Sequence, residues 1–182
     1  RTASAMTSAD GTKDLDRASQ LFDDGARSHP AEPRWFLASG LTAALSGNHS
    51  VAASRFADAQ AKLPDRPECA LGEGLSLQAD GRHDEAEAAL RRALMLANPN
   101  TKPSLPVVAR VALSATLAAK KEWIRAADEL QPLLDDPVIQ TSKRYTPADV
   151  AQAMVAYYAL GGDRQRAAEV ARTRLPGEGI GD

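Results

Sequence analysis

Apolar positions along this chain recur at helical spacing and are interrupted by short breaks. In residues 34–46, Leu37, Leu41, Ala44 and Leu45 follow the i, i+4, i+7, i+8 stripe of an amphipathic helix. Gly47-Asn48 ends that stripe, because glycine and asparagine tolerate the left-handed conformation that closes a helix. A second helix is predicted from about Ser50 to Lys62, stopping at Pro64. His83 or Asp84 stands where a cap would open the equivalent helix carrying Ala86, Leu90 and Ala93. Neither helix of such a pair can bury its apolar side alone, so neighbouring pairs must stack.

The pairs repeat. Segments 15–30 (LDRASQLFDDGARSHP), 49–64 (HSVAASRFADAQAKLP) and 83–98 (HDEAEAALRRALMLAN) align with Ala18, Ala52 and Ala86 at intervals of 34 residues. The same interval links Phe22, Phe56 and Leu90, and it links Gly47 to Gly81. Ala126 follows Ala86 after 40 residues and Ala167 follows after another 41, so the pattern continues with insertions. The extra length is expected in 98–106 (NPNTKPSLP) and 135–147 (DDPVIQTSKRYTP), whose prolines should stop helices. Gly40 and Gly74, mid-way along first helices, are expected to face Ala52 and Ala86, while Phe56 or Leu90 fills the gap between adjacent pairs.

Composition agrees with an all-α chain. Its 182 residues include 36 Ala and 20 Leu against 8 Val and 3 Ile, which favours helix over strand. Aromatics make up only 4%, so small residues must pack the helices closely. A net charge of −2 gives no bulk attraction to nucleic acid or an anionic membrane. Cys69 is the sole cysteine, which excludes an intrachain disulfide and a thiolate zinc cluster. No apolar run approaches the roughly 18–20 residues that span a bilayer. Arg outnumbers Lys 16 to 6, a bias of GC-rich, bacterial genomes. The chain begins at Arg1, as expected of a processed chain or a piece of a longer array, and cytoplasmic and periplasmic locations both stay open.

A 34-residue helix–turn–helix period with this order of Gly, Ala, Phe and Pro resembles the tetratricopeptide repeat family. The best unit is 33–66, through Phe36, Gly40, Gly47, Ala52, Phe56, Ala59 and Pro64; 67–101 follows through Gly74, Leu77, Gly81, Ala86, Leu90 and Ala93. Units 107–140 and 148–182 match mainly in second helices and turns, and 13–32 supplies a further second helix. Residues 1–12 are expected to be a flexible tail or a truncated first helix that turns at Asp10-Gly11. The resemblance implies a right-handed α-solenoid of about four to five antiparallel helix pairs, forming a single repeat domain over 13–182.

It also implies a concave groove lined by first helices. Carried over position by position, the groove residues are Arg34, Leu37, Leu41 and Ala44, then Glu68, Leu71, Leu75 and Gln78. Val108, Val111 and Ala115 (with Ala118) follow, and then Asp149 and Gln152 (with Ala156 and Ala159). That lining is mostly apolar and small. The Lys, Asn and Arg with which chaperone-binding members clamp a terminal carboxylate are absent at the matching positions. The groove therefore suits an apolar helix or an extended segment of another protein. The alternative is that Leu37, Leu41, Leu71 and Leu75 are simply core.

Catalytic and metal signals are weak. His29, His49 and His83 fall at helix ends or turns with no second ligand at helical spacing, and Cys69 reads as a packing thiol. Gly72-Glu73-Gly74 lies in a helix without the strand that a nucleotide loop needs. Arg91-Arg92 and Arg164, Arg166, Arg172 and Arg174 are interleaved with acids and read as a solvated face. Asp135-Asp136 reads as loop, and Trp35 and Trp123 as staples at helix starts or, failing that, interface anchors. The expectation is a non-catalytic scaffold or adaptor without cofactor or metal, binding a protein partner and no nucleic acid, as in bacterial secretion, pilus or polysaccharide-export assemblies. Self-association is the runner-up. An enzyme or ligand-binding domain built on 135–147, with a polar pocket at Lys143, Arg144 and Tyr145, is the third reading.

Overall fold

The structure is a computed structural model, and it describes the backbone of residues 3–32, 34–98, 100–143 and 145–175. Those residues form helices α1 (Ala3–Ser28), α2 (Arg34–Leu45), α3 (His49–Lys62), α4 (Pro67–Ala79), α5 (His83–Leu96), α6 (Ser104–Ala119), α7 (Trp123–Leu130), α8 (Pro137–Thr141), α9 (Pro147–Leu160) and α10 (Arg164–Arg174). A 3-10 turn, Gln131–Leu133, extends α7. The backbone divides into two compact units, Arg1–Ala97 and Asn98–Asp182, so the division falls at the start of the proline-rich segment 98–106.

Four hairpins, α2–α3, α4–α5, α6–α7 and α9–α10, share one turn. Gly47, Gly81 and Gly162 have φ of +77°, +79° and +83°, and Lys121 takes the same place in the third hairpin at +63°. In each turn two amides reach back to the end of the preceding helix: in the second, Gly81 N–H donates to the Gln78 carbonyl (3.1 Å) and Arg82 N–H to that of Leu77 (2.9 Å). This is the Schellman arrangement, which satisfies carbonyls that the helix end would leave unpaired. Residues that follow the turns start the second helices at once. His83 and Asp84, expected as caps, are instead the first helical residues of α5, and Arg82 at the cap position makes no side-chain cap.

In the first unit, α2 packs on α3, α3 on α4, α4 on α5, and α1 on α2. Its core is made of small residues around two large ones: Ala52, Ala59, Ala86, Ala93 and Leu90 are fully buried, and Phe56 is nearly so. Gly40 and Gly74 lie against Phe56 and Leu90. A Cβ on Gly40 would meet the Phe56 ring at 3.0 Å, and one on Gly74 would meet Leu90 Cγ at 2.7 Å. Gly72 on α4 closes on the same Phe56 ring from the next hairpin, at 2.6 Å. Phe56 thus fills the gap between adjacent pairs, wedged between two glycines. Asp23 on α1 ties the layer together, accepting from Ser39 Oγ on α2 and from Arg55 on α3 (2.7 Å).

The expected break at Asp10-Gly11 is not found, since α1 runs helically from Ala3 to Ser28. One glycine inside a helix costs only about 1 kcal/mol, and no proline enforces a stop there. Residues 1–2 and 176–182, part of the first and last expected segments, lie outside the described residues.

The second unit is filled differently. Segment 135–147, expected to be loop, holds α8, and together with the end of the 3-10 turn it buries Leu133, Leu134 and Ile139 in a core with Val150, Met154, Tyr158 and Val170. Pro137 and Pro147 do not merely end helices. Each occupies the first turn of a new one, where its missing N–H is harmless. Asp136 accepts from Val138 N–H as the cap of α8. Thr146 and Asp149 form a reciprocal capping box at α9. The buried Ser114 Oγ has a backbone partner, donating to the Ala126 carbonyl at 2.7 Å.

Candidate functional site

The first helices of the first unit, α2 and α4, touch one another and present the first two predicted sets of residues. Leu41 is 56% exposed and Leu75 38% exposed, so neither is core. Leu37 and Ala44 are half-buried against Ala43, Ala52 and Phe56, and Leu71 and Gln78 are half-buried. The core alternative therefore holds in part for Leu37 and fails for Leu41 and Leu75. Leu45, left out of the predicted groove, is 72% exposed four residues beyond Leu41. Its place on the i, i+4 stripe was the available signal.

Charges on this face lie at its edge and are locally paired. Arg34 pairs with Glu32, and its guanidinium sits 5.6 Å from the Trp35 ring centroid. Glu68 lies 3.6 Å from Arg66. Hydroxyls behind the leucines are turned inward: Thr42 donates to the Ser39 carbonyl (2.9 Å) and Ser76 to that of Gly72 (2.8 Å). What remains between the edges is an apolar floor of leucine and alanine.

In the second unit the predicted positions differ in character. Val108 is 38% exposed, Val111 packs partly buried on the core, and Ala115 and Gln152 are exposed. Asp149 is exposed too, yet its carboxylate accepts from Thr146 N–H and Oγ (2.8 Å each). Those bonds to the backbone and the hydroxyl hold its pKa below the ordinary carboxylate value. Its polar atoms thus serve the helix start.

Several ionisable groups are engaged in structural contacts. The Cys69 thiol is fully buried on α4 and pushed up to about 11, chiefly by burial and then by Glu68, which favours the protonated thiol. Tyr158 is pushed up to about 12 by burial and by Asp128, to which its hydroxyl donates at 2.8 Å. Arg166 joins the same cluster, 2.8 Å from Asp128, 2.6 Å from Asp163 and 4.5 Å above the Tyr158 ring. Arg174 makes a forked pair with Asp135 at 2.7 and 3.0 Å. Arg91 pairs with Glu87 and Arg92 with Glu73, so four of the arginines read as a solvated face are matched to local acids.

Trp35 packs over Gly25 of α1, and Trp123 stacks on Tyr157 of α9 with centroids 6.2 Å apart, so both join separate helices. A cavity of about 450 Å³ in the second unit is lined by residues of α9, α10 and the 3-10 turn, including Tyr158 and Arg174; neither Lys143 nor Tyr145 reaches it. Arg144 lies outside the described residues. Among the described residues no cluster of three metal-binding side chains occurs, and no helix is long and apolar enough to cross a membrane.

No family model matches the chain, and no curated protein matches it. Among solved structures it is similar to two crystal structures of MamA, each with a TM-score of 0.72 and 16% sequence identity. One match covers 90% of this chain and 88% of the other, and the second covers 93% and 85%. A likeness at that identity concerns fold alone, and the fold is an all-α helical repeat.

Proposed function

We propose that this chain is a tetratricopeptide-type, non-catalytic scaffold that holds an apolar segment of another protein on the α2–α4 face. The observation that carries the reading is the exposure of Leu41, Leu45 and Leu75. The same two helices bury mostly small residues, Ser39, Gly40, Thr42 and Ala43 on α2 and Cys69, Ala70, Gly74 and Ser76 beside Leu77 on α4, while Leu41, Leu45 and Leu75 stay outside. Exposed leucines on two helices that touch are the kind of apolar surface an interaction face uses.

The test compares the wild-type chain with Leu41→Asp and Leu75→Asp. Immobilised wild type should retain a saturable partner from an extract of the source cells, and each variant should lose at least about tenfold in retention. Circular dichroism and melting should stay close to wild type, since both positions are exposed. If both variants collapse, the leucines are core and the reading fails. A mass that rises with concentration and reverts to monomer in Leu41→Asp would assign the face to a second copy instead.

A further inference from the structure

We infer that α10 is a hinged lid over the cavity of the second unit, turning at Gly162 and held shut by two arginine clasps. The cavity, of about 450 Å³, is lined by Leu134 and Tyr158, both buried, and on the α10 side by Arg166, Val170 and Arg174. Those three recur at i, i+4 and i+8, so a single face of α10 looks onto it. The helix is thinly held by apolar packing. α3 and α5 each bury four side chains and the shorter α7 buries three. α10 buries two, Ala167 and Val170, at 8% and 9% exposure. A cavity under a helix forfeits the dispersion contacts that would otherwise hold it down. Half-buried Leu175, just past the helix, is its other apolar hold on the core.

Polar contacts supply the rest of the attachment, and they sit towards the two ends of that face. Arg166 reaches Asp128 of α7 at 2.8 Å and lies 4.5 Å over the Tyr158 ring. Two turns on, Arg174 makes its forked pair with Asp135, at 2.7 and 3.0 Å. The side chains of Asp128 and Asp135 are exposed, so water and salt compete for both clasps. The helix carries its own cap: Asp163 accepts from Arg166 N–H at 3.0 Å and from its Nε at 2.6 Å, bonds that can travel with it. The joint is looser than its counterparts. Of the four hairpin turns, only this one has two glycines in succession, Gly161-Gly162. Gly161 is seated against Ile124, where a Cβ would come within 2.9 Å, whereas a Cβ on Gly162 would meet nothing within 4 Å. Movement therefore falls at Gly162, and opening uncovers Leu134 and Tyr158 without unfolding α9.

Hydrogen–deuterium exchange of the full chain, read by mass spectrometry, tests the lid. At about 0.05 M NaCl, α10 amides should exchange at least about tenfold faster than those of α9. Raising NaCl to about 0.5 M should speed α10 by a further factor of about three or more and leave α9 unchanged, because screening weakens the clasps. Replacing both arginines, Arg166→Gln with Arg174→Gln, should bring the same acceleration at low salt while circular dichroism stays that of the wild type. Exchange of α10 and α9 as one unit would overturn the lid. So would faster exchange of α10 that neither salt nor the double variant alters, since that is plain fraying of a helix end. Equal acceleration of both helices in the variant would make the arginines supports of the whole unit, and the inference would fall.

Discussion

The two units solve one packing problem with different residues. Twelve positions before the buried alanines Ala52 and Ala86, the first unit has Gly40 and Gly74, and four positions after them it has Phe56 and Leu90. At the same register around Ala126 and Ala167 the second unit has Ser114 with Leu130, then Val155 with Ala171. The last hairpin has therefore exchanged a small–large pair for a larger–small one. A second contrast lies between hairpins. Phe56 alone plugs the gap between two glycines in the first unit, whereas in the second an inserted segment brings Leu133, Leu134 and Ile139 into the core.

The largest effect should come from the plug. Phe56→Ala removes a buried ring that two hairpins share, and should cost about 4 kcal/mol in urea unfolding followed by circular dichroism. Gly72→Ala should cost about 1–3 kcal/mol alone, because its new methyl meets the ring. In a Phe56→Leu background that penalty should shrink by more than about 1 kcal/mol, which a double-mutant cycle measures. Additive penalties would mean that Phe56 is not wedged, and the contrast between the units would lose its main support.

Next in size is the inserted segment. Ile139 is 1% exposed on the short helix α8, so Ile139→Ala should cost about 3 kcal/mol. A surface loop at this position would respond within about 0.5 kcal/mol. That outcome would make the second unit an ordinary hairpin pair with a decorated connection.

Much of the fold was legible because its signals are local. The 34-residue interval, turn glycines and closing prolines placed α3 within one residue and gave the all-α helical pattern. What escaped was of two kinds, local caps beside prolines and contacts distant in sequence. Pro137 and Pro147 were visible as stops, but only Asp136 and Thr146 acting as caps make them helix starts. Gly72 could not be singled out from Gly74, since its constraint is a ring on another hairpin. The candidate face shows the same limit. A helical stripe separates apolar from polar positions, but it did not tell half-buried Leu37 from exposed Leu41, because that depends on how far α3 and α4 cover α2.

The smallest predicted effect isolates the one feature that all four hairpins share. Lys121 holds φ +63° where the other turns have glycine, and it makes the same bonds, with its N–H on the Ala118 carbonyl and that of Glu122 on the Leu117 carbonyl (2.9 Å each). The left-handed conformation costs an L-residue roughly 1–2 kcal/mol, partly offset by the greater freedom glycine loses on folding. Lys121→Gly should therefore stabilise the chain by about 0.5–1 kcal/mol, read as a higher urea midpoint at unchanged slope. Lys121→Ala should leave stability within about 0.5 kcal/mol, because it keeps the same strained backbone and the lysine side chain is exposed. Gly81→Ala should cost about 1 kcal/mol although a Cβ there would touch nothing within 4 Å, so its penalty is backbone strain alone. Equal stability of all three variants and the wild type would show that φ at the turn is not what glycine supplies, and the turns of the two units would then be alike in geometry only.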